Sequence, residues 1–123
     1  MNWEKAYQMI ISNIKKDLEI NTKNSTFRVI LETPPYKCVG YNSEGFKVKI
    51  GDNKNSWIEI PISMLKGLYE NAIENRNTYN NSVFIKLYEK QQIAHPCHVH
   101  VVGQLFVNAK LAIENGSRDY KLI

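Results

Sequence analysis

The period of the apolar residues changes twice along the chain, and this change limits the folds that it can adopt. Residues 3–18 and 61–110 carry apolar side chains at three- and four-residue steps, the spacing of one face of an α-helix. Between them, residues 26–60 are rich in β-branched and aromatic side chains, in places alternating strictly with polar ones, as strands do. The pattern predicts an α+β fold, in which an N-terminal helix and a small antiparallel sheet precede a mainly helical half.

The chain has 123 residues, enough for one core, and no linker-like, repetitive or low-complexity segment divides it. We expect a single domain over 1–123, with a helix-plus-hairpin part over 1–60 and a second part over 61–123. No apolar run approaches the ~20 residues that span a bilayer, and the N-terminus does not resemble a secretory signal. The two cysteines do not form a disulfide framework, so reduced thiols, a cytoplasmic location and no membrane partner are expected.

In the N-terminal part, Asn2 is the predicted N-cap of a helix of about four turns that includes Leu18. The polar segment 21–25 is expected to end this helix, because short polar side chains compete for backbone hydrogen bonds. Strands are expected at 26–32, 36–40, 46–50 and 57–60, of which the last two form a hairpin.

In the C-terminal part, Ser63 and Ser82 are expected to cap two successive helices. Pro96 suits the first position of a third helix, because its missing N–H would be unpaired there in any case. The alternation within 95–100 leaves a strand as the alternative for that segment. Asn115-Gly116 predicts a final β-hairpin.

The order helix, helix, short turn, helix and Asn-Gly hairpin over residues 63–123 resembles a winged helix-turn-helix domain. The resemblance implies that the third helix enters the major groove of DNA and that the hairpin, the wing, contacts phosphates or the minor groove. Helical spacing places a set of polar side chains opposite the apolar face of the third helix, and Gln and Asn can pair with adenine. That set is Cys97, His100, Gln104 and Asn108.

We therefore expect a non-enzymatic protein that binds duplex DNA, with a regulatory or accessory role in a DNA-processing system. The expected base contacts are His100, Gln104 and Asn108, and the expected phosphate contacts are Lys90, Lys110, Arg118 and Lys121. The net charge of +4 permits a nucleic-acid partner without requiring one, since acidic residues are interspersed among the basic ones.

Two other classes of function remain open. The same three helices could form a protein-interaction or oligomerisation module that binds itself or another protein. A small metal-dependent or cysteine enzyme is the third hypothesis, with Cys97, His98 and His100 as candidate ligands or Cys97 as a nucleophile. Beyond the run 95–100, which holds all three histidines, only Cys38 could add a ligand to a tetrahedral site of N and S atoms, so no metal or other cofactor is expected.

Overall fold

A computed structural model describes residues 2–21, 28–51 and 56–123. These residues form four helices and two small antiparallel sheets, so the predicted α+β fold is confirmed. The segments 22–27 and 52–55, where polar turns and the start of the first strand are predicted, lie outside the described residues.

The elements are numbered in chain order. They are α1 Trp3–Asn13, β1 Arg28–Glu32, β2 Lys37–Cys38, β3 Ser43–Ile50, β4 Trp57–Pro61, α2 Ile62–Glu74, β5 Thr78–Tyr79, α3 Asn81–Ala94, α4 His98–Asn108, β6 Ala112–Asn115 and β7 Asp119–Leu122. Of the helices that the structure describes, none combines the length and the apolar character required to cross a bilayer.

Helix α1 begins as predicted but is shorter. The side chain of Asn2 accepts the backbone N–H three residues further on, at 3.0 Å, so the predicted cap is confirmed. The helix ends at Asn13, and the prediction that it includes Leu18 is wrong. The following segment instead pairs with β1, and the backbone N–H of Ile20 donates to the carbonyl of Arg28 at 3.0 Å. Long-range pairing with a strand therefore replaces the last predicted turn.

Strand β3 is the centre of the N-terminal sheet. It pairs antiparallel with β1 along one edge and with β4 along the other, and short β2 pairs with its first residues. In the β3–β4 hairpin Phe46 lies opposite Ile60 and Val48 opposite Ile58, and all four are buried. The alternation in the sequence thus correctly predicts both the hairpin and its inner face.

The caps of α2 and α3 differ from the predicted ones. Pro61 precedes α2 and makes no side-chain cap bond, and Ser63 lies inside the first turn. Before α3, the side-chain oxygen of Asn80 accepts the backbone N–H of Val83 at 3.2 Å. Ser82 is the second residue of that helix, so both predicted serine caps are wrong. An asparagine fills the role equally well, because its side-chain oxygen can bond the same orphan N–H groups.

Helix α4 begins at His98, two residues after the predicted start at Pro96. Cys97 is its N-cap residue, and the Cys97 carbonyl accepts the backbone N–H of Val101 at 3.0 Å, which closes the first helical turn. The strand alternative for 95–100 is therefore wrong.

The second sheet has the order β5-β7-β6. Strands β6 and β7 form the hairpin predicted from Asn115-Gly116, with Asn115 opposite Asp119. Gly116 has φ +76, a conformation that costs glycine little because it has no Cβ, and this lets the chain reverse within three residues.

Helix α4 lies at the centre of the core. The ring of Phe106 is 5.4 Å from Tyr79 and 5.8 Å from Tyr69, in edge-to-face contacts. The same buried cluster includes Ile10 of α1 and Phe46 of β3, so both parts of the chain pack around this helix.

Candidate functional site

The polar residues of α4 are not on an open face. Every residue from His98 to Asn108 is buried or half-buried. Gln104, predicted to face DNA bases, is fully buried, and the guanidinium of Arg28 donates to its side-chain oxygen at 3.4 Å. The expectation that this side chain is exposed is wrong, because Arg28 of β1 packs against the side of the helix that is polar in the sequence pattern.

Asn108 is held in the same way. Its side-chain nitrogen donates to the carbonyl of Ile20 at 3.2 Å and to that of Gln104, one turn earlier in α4, at 2.8 Å. These bonds connect the C-terminal end of α4 to the segment between α1 and β1. In this arrangement the two amides stabilise the packing of the N-terminal part on α4.

His100 lies in a different environment, near the second sheet. Its ring Nδ1 is 2.9 Å from the hydroxyl oxygen of Tyr120 in β7. Burial, followed by the positive charges of Arg28 and Arg118, lowers the pKa of His100, so the imidazole is neutral at pH 7. Burial, followed by the negative charge of Glu114, raises the pKa of Tyr120 to about 12, so this hydroxyl keeps its proton.

These two arginines and His100 line one cleft of about 470 Å³. Arg28 comes from β1, His100 from the first turn of α4, and Arg118 from the turn of the β6–β7 hairpin. The remaining polar lining residues are Asn81, Gln92 and Cys97. We call this site the cationic cleft.

Arg28 was not identified from the sequence. Burial lowers the pKa of its guanidinium, which nonetheless remains charged at pH 7. The signal in the sequence is a single arginine directly before three apolar residues, 29–31. A charged side chain in a strand must contact water or a polar partner, but only the fold shows that Arg28 lies in a cleft beside the start of α4.

The predicted phosphate contacts are divided among several places. Arg118 lines the cationic cleft, whereas Lys90, Lys110 and Lys121 are not among its lining residues. Lys110 is exposed directly after α4, and the ammonium group of Lys121 donates to the carbonyl of Arg76 at 3.4 Å. Of the seven residues expected to bind DNA, only His100 and Arg118 are therefore among the residues that line the cationic cleft.

Lys90 lies on α3, beside an exposed apolar surface. Ile85, Leu87 and Ile93 are 37%, 42% and 69% exposed, and with Lys90 they line a shallow groove. We call this the α3 surface. Large aliphatic side chains that are exposed around one groove are a common feature of protein contacts.

The candidate metal ligands do not converge. His98 is buried, with its Nε2 3.4 Å from the carbonyl oxygen of Glu59 and its ring stacked on Phe84, whereas His100 approaches Tyr120. Among the described residues, no group of three His, Cys, Asp or Glu side chains is placed to hold a metal ion.

Comparison with protein-family models, with characterised proteins and with solved structures finds no match for this chain.

Proposed function

We propose that this protein binds nucleic acid, and that it contacts phosphate groups through the cationic cleft and the β6–β7 hairpin. The observation that carries the proposal is the convergence of Arg28, His100 and Arg118 from three separate elements on one cleft. No acidic side chain is among the described lining residues of this cleft. Guanidinium groups match phosphate oxygens with two parallel hydrogen bonds, which favours this anion over a chloride-like point charge.

The order of the C-terminal elements supports a winged helix-turn-helix interpretation. Helix α2, strand β5, helices α3 and α4, and the β6–β7 hairpin follow one another, and β7 lies between β5 and β6. In this interpretation the hairpin is the wing, and Arg118 in its turn is the residue that reaches a phosphate.

The contacts of α4 in the folded protein favour binding to phosphates over the base contacts expected from the sequence. Gln104 and Asn108 make internal hydrogen bonds, so they are not available to read bases in this arrangement. Backbone contacts position a protein on DNA but carry no sequence information directly. The proposed binding is therefore dependent on salt and nearly independent of DNA sequence.

Fluorescence anisotropy with a labelled duplex tests the proposal. Between about 50 and about 200 mM salt, affinity should fall steeply, and Arg118→Gln should reduce the slope of log affinity against log salt by about 0.9. Arg76→Gln is the matched control, because this exposed arginine lies before β5, near the opposite end of β7 from the hairpin turn. Absence of binding at low salt, or equal effects of the two substitutions, would contradict the proposal.

A second candidate function is self-association or protein binding at the α3 surface. It is favoured by the exposure of Leu87 and Ile93, which are 42% and 69% exposed, since burying their remaining apolar surface in an interface is favourable. Sedimentation velocity across a range of concentrations tests self-association. A dimer that Leu87→Lys dissociates would support it, and a monomer at all concentrations would exclude it.

A further inference from the structure

We propose that the cationic cleft accommodates a terminal phosphate monoester, such as the 5′-phosphate at the end of a nucleic-acid strand or on a mononucleotide. This inference rests on the proposed phosphate-binding role and specifies the group that is bound. A strand end and a free nucleotide carry the same phosphate monoester, so both are ligands of the chemical class that we propose.

The shape of the site supports a terminal group. At about 470 Å³ the cleft is within the range of small-molecule pockets, ~300–1,000 Å³. An internal phosphodiester is bonded to a sugar on both sides and lies along the outside of the nucleic-acid helix. A terminal phosphate is tethered on one side only, so it can project into a concave site between β1, α4 and the hairpin.

The charge of the site supports the same conclusion. Arg28 and Arg118 both act electrostatically on His100, so their positive charges are felt at one place in the cleft. An internal phosphodiester carries one negative charge, whereas a phosphate monoester carries about −1.5 to −2 at pH 7. A monoester thus matches two guanidinium groups more closely. Glu114 acts on Tyr120 from the same hairpin, but it is not among the lining residues.

The positions of the donors are fixed by partners behind them. Gln104, fully buried in α4, accepts from the guanidinium of Arg28 and so orients it. Tyr120 remains protonated and can donate to Nδ1 of His100, which places the ring proton on Nε2. In this tautomer Nε2 is a neutral donor for a phosphate oxygen. Preorganised donors of this kind lower the entropic cost of binding.

Cys97 provides a readout that does not depend on nucleic-acid binding. It lines the cleft and is half-buried, whereas Cys38 is fully buried. A maleimide reagent should therefore react with Cys97 first in the folded protein. A ligand in the cleft should slow this reaction.

The test compares two duplexes of the same sequence, one with a 5′-phosphate and one with a 5′-hydroxyl on the same strand, each labelled at the 3′ end of that strand. We expect the phosphorylated duplex to bind about tenfold more tightly, which corresponds to about 1.4 kcal/mol, because the terminal phosphate accepts a charge-assisted hydrogen bond that the hydroxyl does not form. Arg118→Gln should remove this preference and Arg76→Gln should keep it. Arg118 is exposed in a turn, so its substitution leaves the core intact.

A nucleoside 5′-monophosphate and the corresponding nucleoside form the second arm, with the rate of Cys97 alkylation as the readout. Protection of Cys97 by the monophosphate but not by the nucleoside supports the inference. If this protection is found and neither duplex binds, the ligand of the cleft is a free phosphorylated molecule and the proposed function is rejected. Salt-dependent binding of both duplexes with equal affinity, without protection of Cys97, overturns the inference and leaves the proposed function standing. Absence of both binding and protection overturns both.

Discussion

Replacement of Gly103 by alanine tests the packing of α4 against the second sheet. A Cβ at this position would lie 2.4 Å from two ring carbons of Tyr120 and 2.7 Å from a third. Favourable carbon–carbon contacts are ~3.5–4.0 Å, so the ring or the helix must move. Tyr120 is only 1% exposed, and its hydroxyl is bonded to His100, so the ring has little room to yield.

The expected size of the effect follows from two opposing contributions. Overpacking a core costs about 1–3 kcal/mol, and this overlap belongs at the upper end of that range. Alanine is favoured over glycine inside a helix by about 0.8–1 kcal/mol. Gly103→Ala should therefore lower the free energy of unfolding by about 2 kcal/mol, which corresponds to a decrease of about 1 M in the urea midpoint for a protein of this size.

Gly67→Ala in α2 is the control for this prediction. Its Cβ would approach Leu87 to 3.6 Å, an ordinary van der Waals contact, so the helical preference for alanine should dominate. Urea unfolding followed by circular dichroism should show Gly67→Ala slightly more stable than the unsubstituted protein and Gly103→Ala clearly less stable. If Gly103→Ala were as stable as Gly67→Ala, the close contact between α4 and β7 would be refuted.

Three further predictions concern the stability of the fold. Glu59→Gln should lower the free energy of unfolding by about 2 kcal/mol, because the carboxylate accepts three hydrogen bonds. Its donors are the Tyr36 hydroxyl at 2.6 Å and the backbone amides of Val39 and Gly40 at 2.8 and 3.0 Å. An unchanged urea midpoint would contradict this prediction. Burial lowers the pKa of both His98 and His100, so the folded protein binds fewer protons than the unfolded chain, whose histidines have a pKa of about 6.5. The free energy of unfolding should therefore keep its full value above about pH 6.5 and decrease as the pH falls below it. Urea midpoints at about pH 7.5 and about pH 5 check this, and equal midpoints would argue against it. Asn80→Ala should cost about 1 kcal/mol in urea unfolding and Ser82→Ala less than about 0.5 kcal/mol, and the reverse order would restore the serine as the cap.

The features that sequence predicts well here are local ones. The cap by Asn2 and the reversal at Asn115-Gly116 depend on hydrogen bonds and dihedral angles within a few residues. The β3–β4 hairpin follows from strict alternation, since a register shift of one residue would expose Phe46 and Val48. In each case the sequence contains all the groups that form the contact.

The features that sequence missed depend on distant partners. Helix α1 ends early because Ile20 finds a backbone partner in Arg28. Gln104 looks like a surface residue from its spacing, but it is fully buried and its side chain contacts Arg28 of β1. A polar residue on a helix indicates a need for hydrogen bonds, and helical periodicity does not reveal whether water or protein supplies them.

The candidate site was only partly predictable for the same reason. His100 and Arg118 were identified because they belong to the third helix and the hairpin of the resembled domain. Arg28 comes from a strand about seventy residues earlier, and only tertiary packing brings it to the cleft.

An NMR titration of the isotope-labelled protein with a 5′-phosphorylated oligonucleotide reports where the ligand binds, and so tests whether the cationic cleft is the phosphate site. We expect the largest shifts at the backbone amides of Arg28 and Arg118 and at the ring of His100. Shifts confined to the α3 surface, or the absence of shifts at these three residues, would contradict phosphate binding in the cleft.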